Sequence, residues 1–145
     1  MPEPDLKARA LALLSRREHT RYELGKKLAG YAESTEALDA LMDSLMQEGL
    51  LSDARAAEEV LRVRSGRHGL LRIRQELQQR GVPEDVAAET LAVARAEELA
   101  SARRVWSRKF SHLPANADER ARQGRYLQNR GFSPDVIRQV LRSLD

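Results

Sequence analysis

Nearly the same ten residues occur twice in this chain, as LQQRGVPEDV at 77–86 and as LQNRGFSPDV at 127–136. In each copy a leucine marks a buried helix face, and a glycine, Gly81 or Gly131, ends that helix in the left-handed conformation other residues avoid. An apolar residue, Val82 or Phe132, then plugs the core at the corner. Pro83 or Pro134 helps to launch the next helix, with acids placed to suit its dipole. A helix-to-helix turn used twice at a fixed interval implies a repeated unit. A unit of about 45 residues buries too little apolar surface to be stable alone, so stacking copies is the natural route to a continuous core.

Hydrophobic periodicity predicts three rounds of three helices. In the first, Leu6, Ala10, Leu13 and Leu14 keep helical spacing, and Thr20 with Glu23 writes a capping box before Leu24 and Leu28. Ser34 or Thr35 then opens a helix carrying Leu38, Leu41, Met42 and Leu45, which Gly49 stops. In the second, Asp53 is expected to cap a helix with Ala57, Val60 and Leu61, running into the breaker SGRHG at 65–69. Ile73 and Leu77 follow, and Pro83 sits in the first turn of the third helix. The last round has Leu99, Val105, Trp106 and Phe110, the loop SHLPANA, a helix through Leu127, and a closing helix burying Ile137, Val140, Leu141 and Leu144. The expectation is an all-α protein of three tandem three-helix repeats, helix-turn-helix-like, stacked into an elongated curved rod. Its units are 1–51, 52–95 and 96–145.

Leu, Ala, Glu, Arg and Gln dominate the 145 residues, a helix-forming composition. There is no cysteine, which excludes disulfides, thiolate chemistry and cysteine-ligated zinc. Glu3 and Asp5 stand where a secretory signal would be basic, and the apolar run Ala10 to Leu14 is far below membrane-spanning length, so a soluble, cytoplasmic protein is expected. His19, His68 and His112 fall in three different units without metal-ligand spacing, and each reads as a surface or loop histidine. No P-loop, GxGxxG or nucleophile elbow is present. The basic loop GRHG at 66–69 has the composition to approach a phosphate, though a loop between helices needs no such role. No catalytic site, metal or cofactor is expected.

Charge is unevenly placed. Residues 31–59 hold eight acids against Arg55 alone, whereas 62–80 hold six arginines against Glu76. Residues 103–130 are again basic. Either these are solvated helix faces, or the later units meet a polyanionic or acidic partner. The binding candidates are Arg64, Arg67, Arg72, Arg74 and Arg80 in the second unit and Arg122, Arg125, Tyr126 and Arg130 in the third. Arg72 and Arg74 flank the buried Ile73 and must emerge beside the core face. Tyr126, set among arginines, either stacks on an exposed nucleobase or covers the edge of the core. The acidic first unit argues against a chain lying wholly on bare DNA, and favours a composite of protein and nucleic acid.

Four stretches, ALALLSRREHTRYELGKKL at 10–28, EGLLSDARAA at 48–57, GLLRIRQELQQRGV at 69–82 and RYLQNRGFSPDVIRQVL at 125–141, together resemble the RecX family, regulators of the RecA recombinase. The similarity runs from about Ala8 to Leu144. The chain departs from the family's usual pattern at Ala56, where an aromatic is common, and in having a single glycine directly before the helix of HGLLRIR. The resemblance implies three tandem three-helix repeats and a binding, non-enzymatic activity in recombination and the SOS response. It implies a monomer that lies in the groove of the RecA filament on single-stranded DNA and touches neighbouring protomers, with the DNA itself a further contact. ATP hydrolysis, strand exchange and co-protease function would be hindered. The competing readings are a stand-alone DNA-binding helix-turn-helix regulator and a purely structural helical adaptor.

Overall fold

A computed structural model of the chain describes residues 5–142, so Leu144 lies outside the described residues. Eight α-helices and no strands occur among them: α1 Leu6–Leu14, α2 Arg21–Leu28, α3 Thr35–Gln47, α4 Asp53–Arg64, α5 Leu70–Gln79, α6 Glu84–Lys109, α7 Ala117–Asn129 and α8 Pro134–Leu141, with a 3-10 turn at Ala29–Tyr31. The expected nine helices become eight because the third helix of the second repeat runs without a break into the first of the third. The stretch AETLAVARAEELASARR contains neither Gly nor Pro and is rich in strong helix formers, so nothing stops α6 over 26 residues.

Three apolar clusters with no shared residue form the cores. One gathers Ala10, Leu24, Leu28, Met42, Leu45 and Leu51 around α1–α3. The second gathers Val60, Leu70, Ile73, Leu77, Val82 and Ala94 from α4, α5 and the first part of α6. The third gathers Val105, Leu127, Phe132, Val136, Val140 and Leu141 from the rest of α6 with α7 and α8. A compact protein of this mass exposes about 7,500 Å²; this chain exposes 9143 Å², as an elongated row of small bundles should.

Local chemistry sets the helix starts. Thr20 and Glu23 form the expected capping box, and Ser34 caps α3. Ser52, not Asp53, caps α4 through Arg55 N–H. Asp53 is released from that task and instead accepts the N–H of Arg21, the first residue of α2, at 2.8 Å. Asn116 caps α7. No cap side chain of their own serves α5 and α8. Both are served by Glu98 of α6, 4 % exposed, whose carboxylate accepts from Leu70 N–H at 3.0 Å, Ser133 N–H at 3.0 Å and Ser133 Oγ at 2.9 Å. Three donors satisfy a charge that would otherwise be costly to bury.

The duplicated phrase is also the joint between repeats. Gly81 (φ 75°) and Gly131 (φ 84°) are left-handed as expected. Each packs against the first turn of the middle helix of the preceding repeat, where a side chain would collide with Tyr22 at 2.5 Å or with Arg72 N at 2.7 Å. At the first joint the Thr20 hydroxyl donates to the Arg80 carbonyl. At the second, Gly69 N–H donates to the Arg130 carbonyl at 2.8 Å and Leu71 N–H to the Gly131 carbonyl at 3.0 Å. A Cβ on Gly69 would meet the Gly131 carbonyl at 2.5 Å and the backbone of Phe132. The single glycine before α5 therefore serves a backbone approach.

Candidate functional site

The joints decide which of the nine candidate residues face outward. Arg80 is held at the first joint: its Nε donates to Glu23 Oε1 at 3.1 Å, its Nη2 to the Glu18 carbonyl at 2.9 Å, and its Nη1 lies 3.6 Å from Glu59. Only 15 % of its side chain is exposed. Around it, Arg55 donates to Glu18 at 2.9 Å and Arg17 pairs with Glu23 at 3.1 Å. Burial alone pushes the Glu23 carboxyl upward, but the Thr20 N–H, Arg17 and Arg80 together hold it below its ordinary range. Arg64 is likewise occupied within its repeat, paired with Glu76 at 2.8 Å; that hydrogen bond outweighs desolvation and raises its pKa.

Arg67, Arg74, Arg122 and Arg125 are exposed, while Arg72 and Arg130 are half-buried. Arg74 lines a groove of about 580 Å³ between α5 and α6, which also holds Val82, Ala87 and Leu91. Arg125 lines the corresponding groove of about 450 Å³ between α7 and α8, with Phe132, Pro134 and Ile137. The first repeat has its own counterpart between α2 and α3, about 490 Å³, lined by Tyr22, Leu38 and Met42. Gln78 and Gln128 sit at matching points of the two later grooves. Each repeat thus offers one shallow apolar furrow between its second and third helices with charge at the rim.

Tyr126 packs against the third core. Phe110 meets it edge-on at 5.5 Å, and Arg130 and Lys109 lie over its ring at 5.0 and 5.6 Å. Of the two readings of this tyrosine, the structure places it at the core edge, under a guanidinium.

The histidines are unlike one another. His19, buried at the first joint, is 3.1 Å from the Arg17 carbonyl through Nδ1 and 3.0 Å from Lys27 Nζ through Nε2. A neutral ring that donates from Nδ1 and accepts at Nε2 fits both neighbours. Burial, then the charges of Arg17 and Lys27, lower its pKa from 6.5. His68 lies in the loop before α5; burial and then Arg64, Arg72 and Arg130 lower its pKa from 6.5, and its Nδ1 has no partner among the described residues. His112 is exposed beside Ser111.

Sequence patterns did not single out Glu98 or Gln123, and they assigned Asp53 to the cap of α4 instead of to the joint it closes. Gln123, buried, accepts from Trp106 Nε1 at 2.8 Å and fixes α6 against α7. The described residues contain no group of acids and histidines arranged to hold a metal ion. None of the described helices is long and apolar enough to cross a membrane.

Comparison with known proteins bears on the whole length. Residues 52–91 match the description "RecX, second three-helix domain", and residues 96–141 match "RecX, third three-helix domain". The chain is 47% identical over 144 residues to the regulatory protein RecX of Leptothrix cholodnii, spanning 99% of this chain and 92% of that one. It is 48% identical to the RecX of Chromobacterium violaceum over 94% of this chain and 88% of the relative. The crystal structure of RecX from Lactobacillus salivarius superposes with a TM-score of 0.82 at 20% identity, covering 94% of this chain and 92% of that chain. With two of its repeats matched by family domains and this identity over nearly the full length, the chain belongs to the RecX family of regulatory proteins.

Proposed function

We propose that this protein regulates recombination and the SOS response by lying in the groove of a RecA filament on single-stranded DNA, bridging adjacent protomers and so opposing ATP hydrolysis, strand exchange and co-protease activity. It has no reactive centre of its own in this reading and acts by binding, as a monomer in the cytoplasm. Family membership supplies the regulatory role. The observation that carries the bridging mechanism is the row of three separately cored bundles held together by docked turns and by the continuous α6. Each bundle is on the order of 20 Å across, so the row has the reach to touch more than one subunit of a filament. Several weak contacts along it then add by avidity. The opposite charge of the first and later repeats suits a composite surface of protein and DNA. Holding two protomers at a fixed spacing resists the relative motion that a nucleotide cycle requires.

Arg74 and Arg125, exposed on the rims of two equivalent grooves, are the contacts assigned to the filament. Replacing both by alanine leaves helicity and melting temperature nearly unchanged and weakens co-sedimentation with RecA filaments roughly tenfold, the loss of about 1.4 kcal/mol of contact energy. Unchanged co-sedimentation removes their role. Tight, sequence-selective duplex binding without recombinase would point instead to a stand-alone DNA-binding regulator.

A further inference from the structure

The two joints between repeats are built on one plan, and their differences are informative. At each, the first N–H of the preceding middle helix is capped by a carboxylate from the following repeat: Asp53 takes Arg21 N–H, and Glu98 takes Leu70 N–H. At each, the RG turn docks on that same helix end. These matched contacts bring the surroundings of Arg80 and Arg130 into register. Three acids face Arg80 or its neighbours at the first joint. Glu23 is the third residue of α2, Glu59 lies six residues beyond the capping Asp53, and Glu18 lies two before the helix cap. At the second joint these three places are held by Arg72, Arg104 and Arg67. Every acid of the clasp has become an arginine, while the central arginine of the phrase is kept.

The second joint therefore gathers cations where the first pairs them. Arg64, Arg72 and Arg130 all act on His68, and Arg104 Nη2 reaches within 3.7 Å of the place where a Cβ on Gly66 would stand. The nearby carboxylates are engaged elsewhere: Glu98 by three donors, Glu97 by Ser65 and Glu76 by Arg64. No hydrogen bond or ion pair engages the side chains of Arg67 and Arg72 among the described residues, that of Arg130 meets only the Tyr126 ring, and that of Arg104 has only the neutral Ser101 hydroxyl, at 3.3 Å. Arg67 and Arg104 are exposed and Arg72 and Arg130 half-buried, and like charges brought together in this way repel, a cost that a bound counter-charge relieves. A compact anion with several acceptor oxygens suits several neighbouring guanidinium groups better than a lone carboxylate does.

We propose that the joint between the second and third repeats is a phosphate-binding site formed by Arg67, Arg72, Arg104 and Arg130 around the loop 66–69. The bound phosphate clamps the two repeats together, as Glu23 and Glu59 do internally at the first joint. The ligand is a phosphate group, supplied either by a nucleic-acid backbone or by a free phosphate compound. This deepens the reading above by placing the anionic part of the composite partner at one seam, and it is tested without recombinase, so either idea can fail alone.

Thermal melting of the full chain is measured with inorganic pyrophosphate, with oligodeoxythymidylate and with sodium chloride at matched ionic strength. A saturating phosphate ligand raises the melting temperature by roughly 3–6 °C over the chloride control. Stabilisation by the oligonucleotide, competed away by pyrophosphate, identifies the backbone as the source, while stabilisation by pyrophosphate alone identifies a free phosphate; either result supports the site. Arg72→Glu recreates the arrangement of Glu23 and should melt higher than the parent in chloride while losing the phosphate response. Arg130→Gln, which leaves the backbone contacts of the joint in place, loses the response as well. Equal melting of the parent in all three solutions overturns the proposal, as does a full phosphate response in both variants.

Discussion

Glu98 ties two repeats together, because one carboxylate closes the start of two helices in different repeats. Its replacement by alanine strands three donors in a buried seam, at a cost on the order of 3 kcal/mol. Urea unfolding of Glu98→Ala checks this, and a loss below about 1 kcal/mol would mean that the donors find other partners. Two histidines make a second prediction at this scale. Both His19 and His68 have pKa values lowered from 6.5 in the folded chain, chiefly by burial, so the unfolded chain takes up protons first as the pH falls. Stability is therefore unaffected above about pH 7 and declines as the pH drops below 6.5, levelling off once the folded rings protonate. Melting temperatures of the parent and of a His19→Gln, His68→Gln double variant test it: the decline between pH 7 and 5.5 should be smaller in the variant. Glu23 adds a separate loss at lower pH, since its depressed carboxyl stabilises the first joint only while ionised.

Among the elements, the turns were legible and the joints were not. Gly81, Val82, Gly131 and Phe132 could be assigned from ten repeated letters, because a left-handed glycine followed by an apolar plug is a local signal. The Thr20 and Glu23 capping box was legible for the same reason. The carboxylate of Glu98 meets Leu70 and Ser133 across 28 and 35 positions of chain, and nothing in the periodicity of α6 marks it out. Arg64 and Arg80 looked free because their acids, Glu76, Glu23 and Glu59, reach them only in the folded protein. The continuity of α6 was hidden by the repeat logic itself, which expects a break wherever one unit ends. That continuity has a consequence. Arg95 is exposed near the middle of α6, so proline there removes a helical hydrogen bond without touching a core, and should cost about 3 kcal/mol or more. Hydrogen exchange should then show the third repeat opening independently of the second. Uniform protection in Arg95→Pro would mean that the joint alone, without the shared helix, keeps the two repeats together.

At the scale of the whole molecule, three small cores stand in a row, and the proposed function rests on the length this gives. Each bundle would be marginal by itself, and the joints convert three marginal units into one body with contacts spread along it. The charge pattern follows the same division, with carboxylates clasping the first joint and arginines gathered at the second. In the proposed bridging, such a row spans neighbouring subunits of a polymer, so one regulator should silence more than one of them. The DNA-dependent ATPase of the cognate RecA, titrated with this protein on preformed filaments, measures that directly. Bridging predicts inhibition that saturates at clearly fewer than one regulator per RecA subunit; undiminished ATP turnover at a molar excess of regulator would contradict it.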